Sequence, residues 1–131
     1  FQSKLANILF AFELDRRLKA ANSPAIAIAC HPGYSATNLQ STGPKGLLNI
    51  VYKLTNSLMA QPSQKGALPT VLSAAGVEAK RGAYYGPTGF YDAKGPVSDA
   101  GVEERALDET VQKRLWSESE KLLGINWNIA A

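Results

Sequence analysis

Apolar residues over the first twenty positions recur at helical spacing. Leu5, Ile8, Leu9 and Phe12 form one stripe, and Phe10, Leu14 and Leu18 form a second. Residues 1–21 therefore read as a helix apolar on two faces, one that packs on a sheet and also against another helix or subunit. Asn22-Ser23-Pro24 ends it. Ala25-Ile26-Ala27-Ile28-Ala29-Cys30 then forms an unbroken apolar run between turn signals. No polar residue alternates, which predicts a strand covered on both faces, as in a parallel sheet. Helix, short turn and buried strand make half of a βαβ unit.

The stretch from His31 to Gly46 is rich in turn residues, and an amphipathic segment follows with Leu47, Leu48, Val51, Leu54, Leu58 and Met59 at helical spacing. Ser63 suits the N-cap of a helix reaching about Ala75 and closed by Gly76. Pro69 inside it kinks the helix or removes one hydrogen bond. Gly82 to Tyr85 reads as a second short strand, and Gly86-Pro87-Thr88-Gly89 as a tight turn. A last helix is expected from about Glu104 to Leu123, buried along Leu107, Val111, Leu115 and Leu122 and stopped by Gly124. Four helices and two short strands make an α/β chain with too little sheet for its helices. Apolar faces would be left exposed, so the chain is not expected to fold stably without further strands.

Composition narrows the choice of partner. The 131 residues are 45% hydrophobic, enough to build the core of one ordinary domain. The net charge of +3 is small and dispersed, and no run of like charges suggests nucleic acid. Arg16, Arg17 and Lys19 form the densest basic cluster, near a helix C-terminus where solvated cations are favoured. The pairs Glu13/Asp15 and Glu103/Glu104 read as solvated helix charges. Cys30 is the single cysteine, read as a small buried hydrophobe, and no Cys/His metal pattern exists. With one histidine, zinc chemistry of the usual kind and a Ser-His-Asp triad are not expected within the chain. No stretch approaches the ~18 apolar residues of a membrane span, and a cytoplasmic location is expected, although an N-terminal anchor or signal would escape this reading.

Two short segments carry candidate chemistry. Ser3-Lys4-Leu5-Ala6-Asn7 opens the first helix, and His31-Pro32-Gly33-Tyr34-Ser35-Ala36-Thr37 directly follows the apolar strand. Ligands in open α/β sheets sit at the carboxyl ends of strands, where a Pro stops the strand and a Gly admits a close approach. In this order and spacing the segments resemble the short-chain dehydrogenase/reductase family. The first looks like the tail of its Tyr-x-x-x-Lys motif and the second like its Pro-Gly-x-Val-x-Thr loop. A third stretch, Gly82-Ala83-Tyr84-Tyr85-Gly86-Pro87-Thr88-Gly89 with Leu115-Trp116 beyond it, is similar to the retinol-dehydrogenase-like branch.

The resemblance implies the C-terminal half of one Rossmann-type doubly wound domain, spanning residues 1–131, with a substrate-binding region at 38–62. It implies an NAD- or NADP-dependent oxidoreductase acting on an alcohol/carbonyl pair of a small apolar substrate. Lys4 would lower the pKa of a tyrosine one helical turn earlier and bind the nicotinamide ribose. That tyrosine would directly precede Phe1, so the chain by itself would be inactive without the N-terminal half of its domain. Pro32, Gly33, Ser35 and Thr37 would hold the nicotinamide, Thr37 through its hydroxyl and Ser35 through its backbone N–H, where the family usually has an aliphatic residue. His31 would be structural, and Tyr84 and Tyr85 strand packing. No metal is implied. The apolar stripe at 47–59 suits either a substrate lid or a core. Helix 1–21 suits either a homo-oligomer or packing within a longer domain. A cofactor-binding pseudoenzyme with a regulatory role is the alternative, and a free-standing helical interaction module is a third reading.

Overall fold

The computed structural model describes residues 2–35 and 61–129. The expected amphipathic helix at 47–59, most of the region 38–62, and Thr37 lie outside the described residues. In order, the elements are α1 (Gln2–Ala20), β1 (Ala29–Cys30), α2 (Ser63–Ala75), β2 (Tyr84–Gly89), β3 (Lys94–Asp99), a 3-10 turn (Glu104–Leu107) and α3 (Glu109–Leu123). Among the described residues there are thus three α-helices and a three-stranded sheet ordered β1-β2-β3, not two strands. No described helix is long and apolar enough to cross a membrane.

The chain divides into two compact units. One comprises Phe1–Ala29, Glu78–Tyr84 and Gly101–Ala131; the other comprises Cys30–Val77 and Tyr85–Ala100. In the first, α1, the 3-10 turn and α3 pack on one another. Buried Trp116 centres this packing: the half-buried Phe10 ring stacks on it at 5.3 Å, the exposed Trp127 ring at 5.2 Å, and the Arg17 guanidinium lies 4.4 Å from its ring centre.

The expected leucine stripe of α3 is not its buried side. Leu107, Val111 and Leu122 are exposed, while Gln112 and Trp116 are buried. The large indole sets which face turns inward, and the Gln112 amide can follow it because its Nε2 donates to the Ala106 carbonyl at 2.7 Å. The helix also starts later than its apolar spacing suggests. Asp108 interrupts it as an N-cap, accepting from the Thr110 and Val111 N–H groups, so Glu104–Leu107 forms a separate 3-10 turn. Gly124 ends α3 in the left-handed conformation at φ 64°, as expected.

Glu13 and Asp15 are not solvated. Glu13 is fully buried and pairs with Arg16 and Arg17 one turn on, which removes the cost of an isolated charge. Asp15 is 7% exposed, accepts from the Ala27 N–H at 3.1 Å and pairs with Arg81 at 3.3 Å. Arg81 in turn donates to the Ala25 carbonyl at 2.9 Å. The basic cluster at the end of α1 is therefore partly spent on internal pairing.

The apolar run 25–30 is only partly strand, and it is not covered on both faces. Ile26 is 45% exposed and Cys30 is half-buried, with its Sγ 3.7 Å from the Thr70 hydroxyl. β1 is an edge of the described sheet, with one strand neighbour. Ala29 and His31 donate to the Ala83 and Tyr85 carbonyls, partners that advance together, so β1 runs parallel to β2.

Residues 86–89 belong to a strand rather than a turn. They extend β2 into an antiparallel hairpin with β3, with Tyr85 opposite Asp99 and Pro87 opposite Val97. The ladder shifts between Pro87 and Gly89, which is how a central strand accommodates a proline lacking its N–H. The reversal falls on Phe90, Tyr91 and Asp92, at φ 36°, 53° and 55°. In the second unit α2 packs against β3. Pro62 occupies its N-cap without a side-chain hydrogen bond, so Ser63 is its first residue rather than its cap, while Gly76 ends it as expected.

Candidate functional site

The chain leaves β1 through His31-Pro32-Gly33-Tyr34-Ser35, all in the second unit. Gly33 takes φ 64°, where a side chain is strained, and a Cβ there would collide with the Ala93 carbonyl and the Pro87 ring. Close backbone packing on the β2–β3 hairpin therefore requires glycine. Tyr34 N–H anchors the same approach by donating to the Ala93 carbonyl at 2.7 Å.

The loop is also tied to the entrance of α2. Gln61 N–H donates to the Tyr34 carbonyl at 2.9 Å, and its Nε2 donates to the Pro32 carbonyl at 2.7 Å. Ser35 forms a parallel bridge with Gln61, and its hydroxyl also donates to the Pro32 carbonyl, at 3.0 Å. Two donors thus converge on one oxygen and pin the turn. Gln61 is 4% exposed. Its role was not legible in the sequence, because a lone glutamine before Pro62 gives no sign of burial.

His31 lies within this packing. Its Nδ1 accepts from the Gly33 N–H at 3.3 Å, and its Nε2 side lies so close to Gly86 that no Cβ would fit there. Burial pushes the imidazole pKa below its usual range, and the Asp92 carboxylate partly offsets this. The composition of 86–89 predicts a turn at Gly86, but a glycine in a strand can instead mark the approach of another group, which is its role here. Gly66 on α2 likewise leaves room for the Ser35 side chain.

Pro32, Gly33 and Ser35 are therefore brought together in one braced loop at the carboxyl end of β1. Lys4 belongs to the first unit, exposed in the opening turn of α1. There it lines an open cavity of about 310 Å³ with Leu5, Ile8, Tyr84, Glu103 and Arg105. A cation beside a shallow apolar wall can hold a polar group of a ligand whose remainder is apolar.

Comparison with known proteins gives the same direction. No family model matches the chain. It is 32% identical to human retinol dehydrogenase 14 and 35% identical to human retinol dehydrogenase 13, each alignment taking in 95% of the chain. It is also 29% identical to the short chain dehydrogenase/reductase dpmpH of Macrophomina phaseolina, over 91% of the chain and 56% of that protein. The chain spans about a third of the length of the retinol dehydrogenases it matches, 34% and 36% for the two human proteins. In structure it resembles an uncharacterized protein from Mycobacterium paratuberculosis with a TM-score of 0.68 at 34% identity, over 98% of this chain and 39% of that one. Together these matches show that nearly the whole chain is similar to part of several short-chain dehydrogenase/reductases, retinol dehydrogenases among them.

Proposed function

We propose that this chain supplies the C-terminal part of an NAD(P)-dependent oxidoreductase that interconverts an alcohol and a carbonyl on an apolar substrate. The observation that carries the reading is the loop 31–35, placed at the carboxyl end of a parallel strand. There, open α/β sheets bind their ligands, and Gly33 fixes the loop in place by packing on the β2–β3 hairpin. The loop residues Pro32, Gly33, Ser35 and Thr37 are the proposed nicotinamide contacts.

When bound, the dinucleotide supplies the hydride-transferring ring. Lys4 contributes a fixed positive charge that favours the deprotonated form of a neighbouring phenol and suits hydrogen bonding to ribose hydroxyls. Pro32 and Gly33 fix the course of the loop, Pro32 through the two donors on its carbonyl and Gly33 through its packing on the β2–β3 hairpin. The Ser35 hydroxyl is spent on the Pro32 carbonyl, so its contribution to a ligand falls to its main chain. The relatives named as retinol dehydrogenases make a retinoid alcohol or aldehyde the first substrate to try.

The test is a titration of the natural full-length protein with NADH and NADPH, read by nicotinamide fluorescence, followed by turnover of retinol and simpler apolar alcohols. The reading expects one dinucleotide to bind, and expects Lys4→Met to lower kcat by roughly 10² to 10⁴. Cofactor binding with no turnover on any alcohol or aldehyde would favour a cofactor-binding pseudoenzyme. Failure of both dinucleotides to bind would overturn the proposal.

A further inference from the structure

We propose that His31 is a positioning residue for the cofactor loop: its neutral imidazole, accepting from the Gly33 N–H, holds that glycine in its left-handed conformation, and protonation releases it. The inference deepens the proposed function and rests on that reading for its effect on cofactor binding.

The geometry is local and directional. The Gly33 N–H points at Nδ1 at 3.3 Å, so Nδ1 must carry a lone pair and the ring proton must sit on Nε2. An imidazolium has N–H groups at both nitrogens and would set one donor against another. Gly33 has little freedom to adjust, because the space where a Cβ would stand is already filled by the Ala93 carbonyl and the Pro87 ring. The imidazole cannot readily retreat either, since its Nε2 side is packed on Gly86. Around the ring, β2 presents the uncharged Gly86 and the loop presents Gly33, while the hairpin turn presents the Asp92 carboxylate. Burial outweighs that carboxylate, so the ring stays neutral to lower pH than a free histidine.

Two substitutions separate acceptor from charge. Asparagine at 31 can accept from the N–H two residues on through an Asx turn and does not titrate. Phenylalanine keeps the ring volume and accepts nothing. In the full-length protein, dinucleotide affinity is expected to fall about five- to tenfold as pH drops and His31 protonates, by loss of one hydrogen bond. His31→Asn should bind as tightly as wild type at pH 7.5 but with a flat pH profile. His31→Phe should bind weakly at every pH. A His31→Phe protein whose affinity and pH profile match wild type would overturn the inference.

A second measurement does not depend on the cofactor or on variants folding. In the wild-type protein, the amide proton of Gly33 should shift with the same midpoint as the His31 ring, with the neutral form protonated at Nε2. A Gly33 amide that ignores the His31 titration, or a neutral ring protonated at Nδ1, would overturn the inference even if the dinucleotide binds. If neither dinucleotide binds while Gly33 still follows His31, the brace stands and the functional reading is what fails.

Discussion

At the scale of single residues, small groups matter because they admit close approach, and buried charges matter because they are paired. Gly33→Ala places a methyl group against the Ala93 carbonyl at a φ that disfavours side chains. It should cost about 1–3 kcal/mol of stability, seen as a lower denaturation midpoint, and weaken dinucleotide binding. Asp15 is the other sensitive position, since one carboxylate meets both the Arg81 guanidinium and the Ala27 N–H. Asp15→Ala would strand both partners and should cost about 2–4 kcal/mol by urea denaturation. A value near zero would mean the carboxylate is replaced by water. Neither burial was visible beforehand: a Glu and an Asp on a helix look solvated until their partners are known, and Arg81 lies 66 residues from Asp15.

At the scale of elements, end signals were legible and facing was not. Gly124 stops α3 in the left-handed conformation that glycine chemistry predicts, whereas Gly76 follows α2 in an extended one. Asp108 as a cap was missed because apolar spacing continues through Leu107 and hides the break. Asp108→Ala should lower stability by about 1 kcal/mol, measured by thermal unfolding. The inward face of α3 follows its largest ring instead of its leucines. Trp116→Ala should therefore cost about 3–5 kcal/mol. Trp116→Phe should cost far less, because among the described residues the buried indole N–H has no hydrogen-bond partner to lose. Urea denaturation of the two variants decides this, and equal losses would show that the indole edge itself matters. The hairpin escaped the sequence for a related reason. Gly86-Pro87-Thr88-Gly89 has turn composition, yet the ladder shift absorbs the proline and the reversal falls on Phe90-Tyr91-Asp92.

At the scale of the whole molecule, stability should depend on pH through His31. Its folded pKa lies below the ordinary value of about 6.5, so the unfolded chain binds the proton more readily. The contribution is therefore complete above about pH 6.5 and lost as pH falls through the folded value. Chemical denaturation at pH 7.5 and 5.5 should show lower stability at 5.5, with a smaller difference in His31→Asn. The sequence alone determined the α/β class, the first helix, the Gly124 stop and the loop motif that carries the resemblance, because these depend on periodicity and on residues with special backbone freedom. Only the tertiary structure decided which faces are buried, that residues 84–99 form a hairpin, and that His31 and Gln61 brace the loop. Those outcomes depend on partners distant in sequence, and a hydrogen-bond acceptor or an arginine sixty residues away leaves no periodic mark on the chain that needs it.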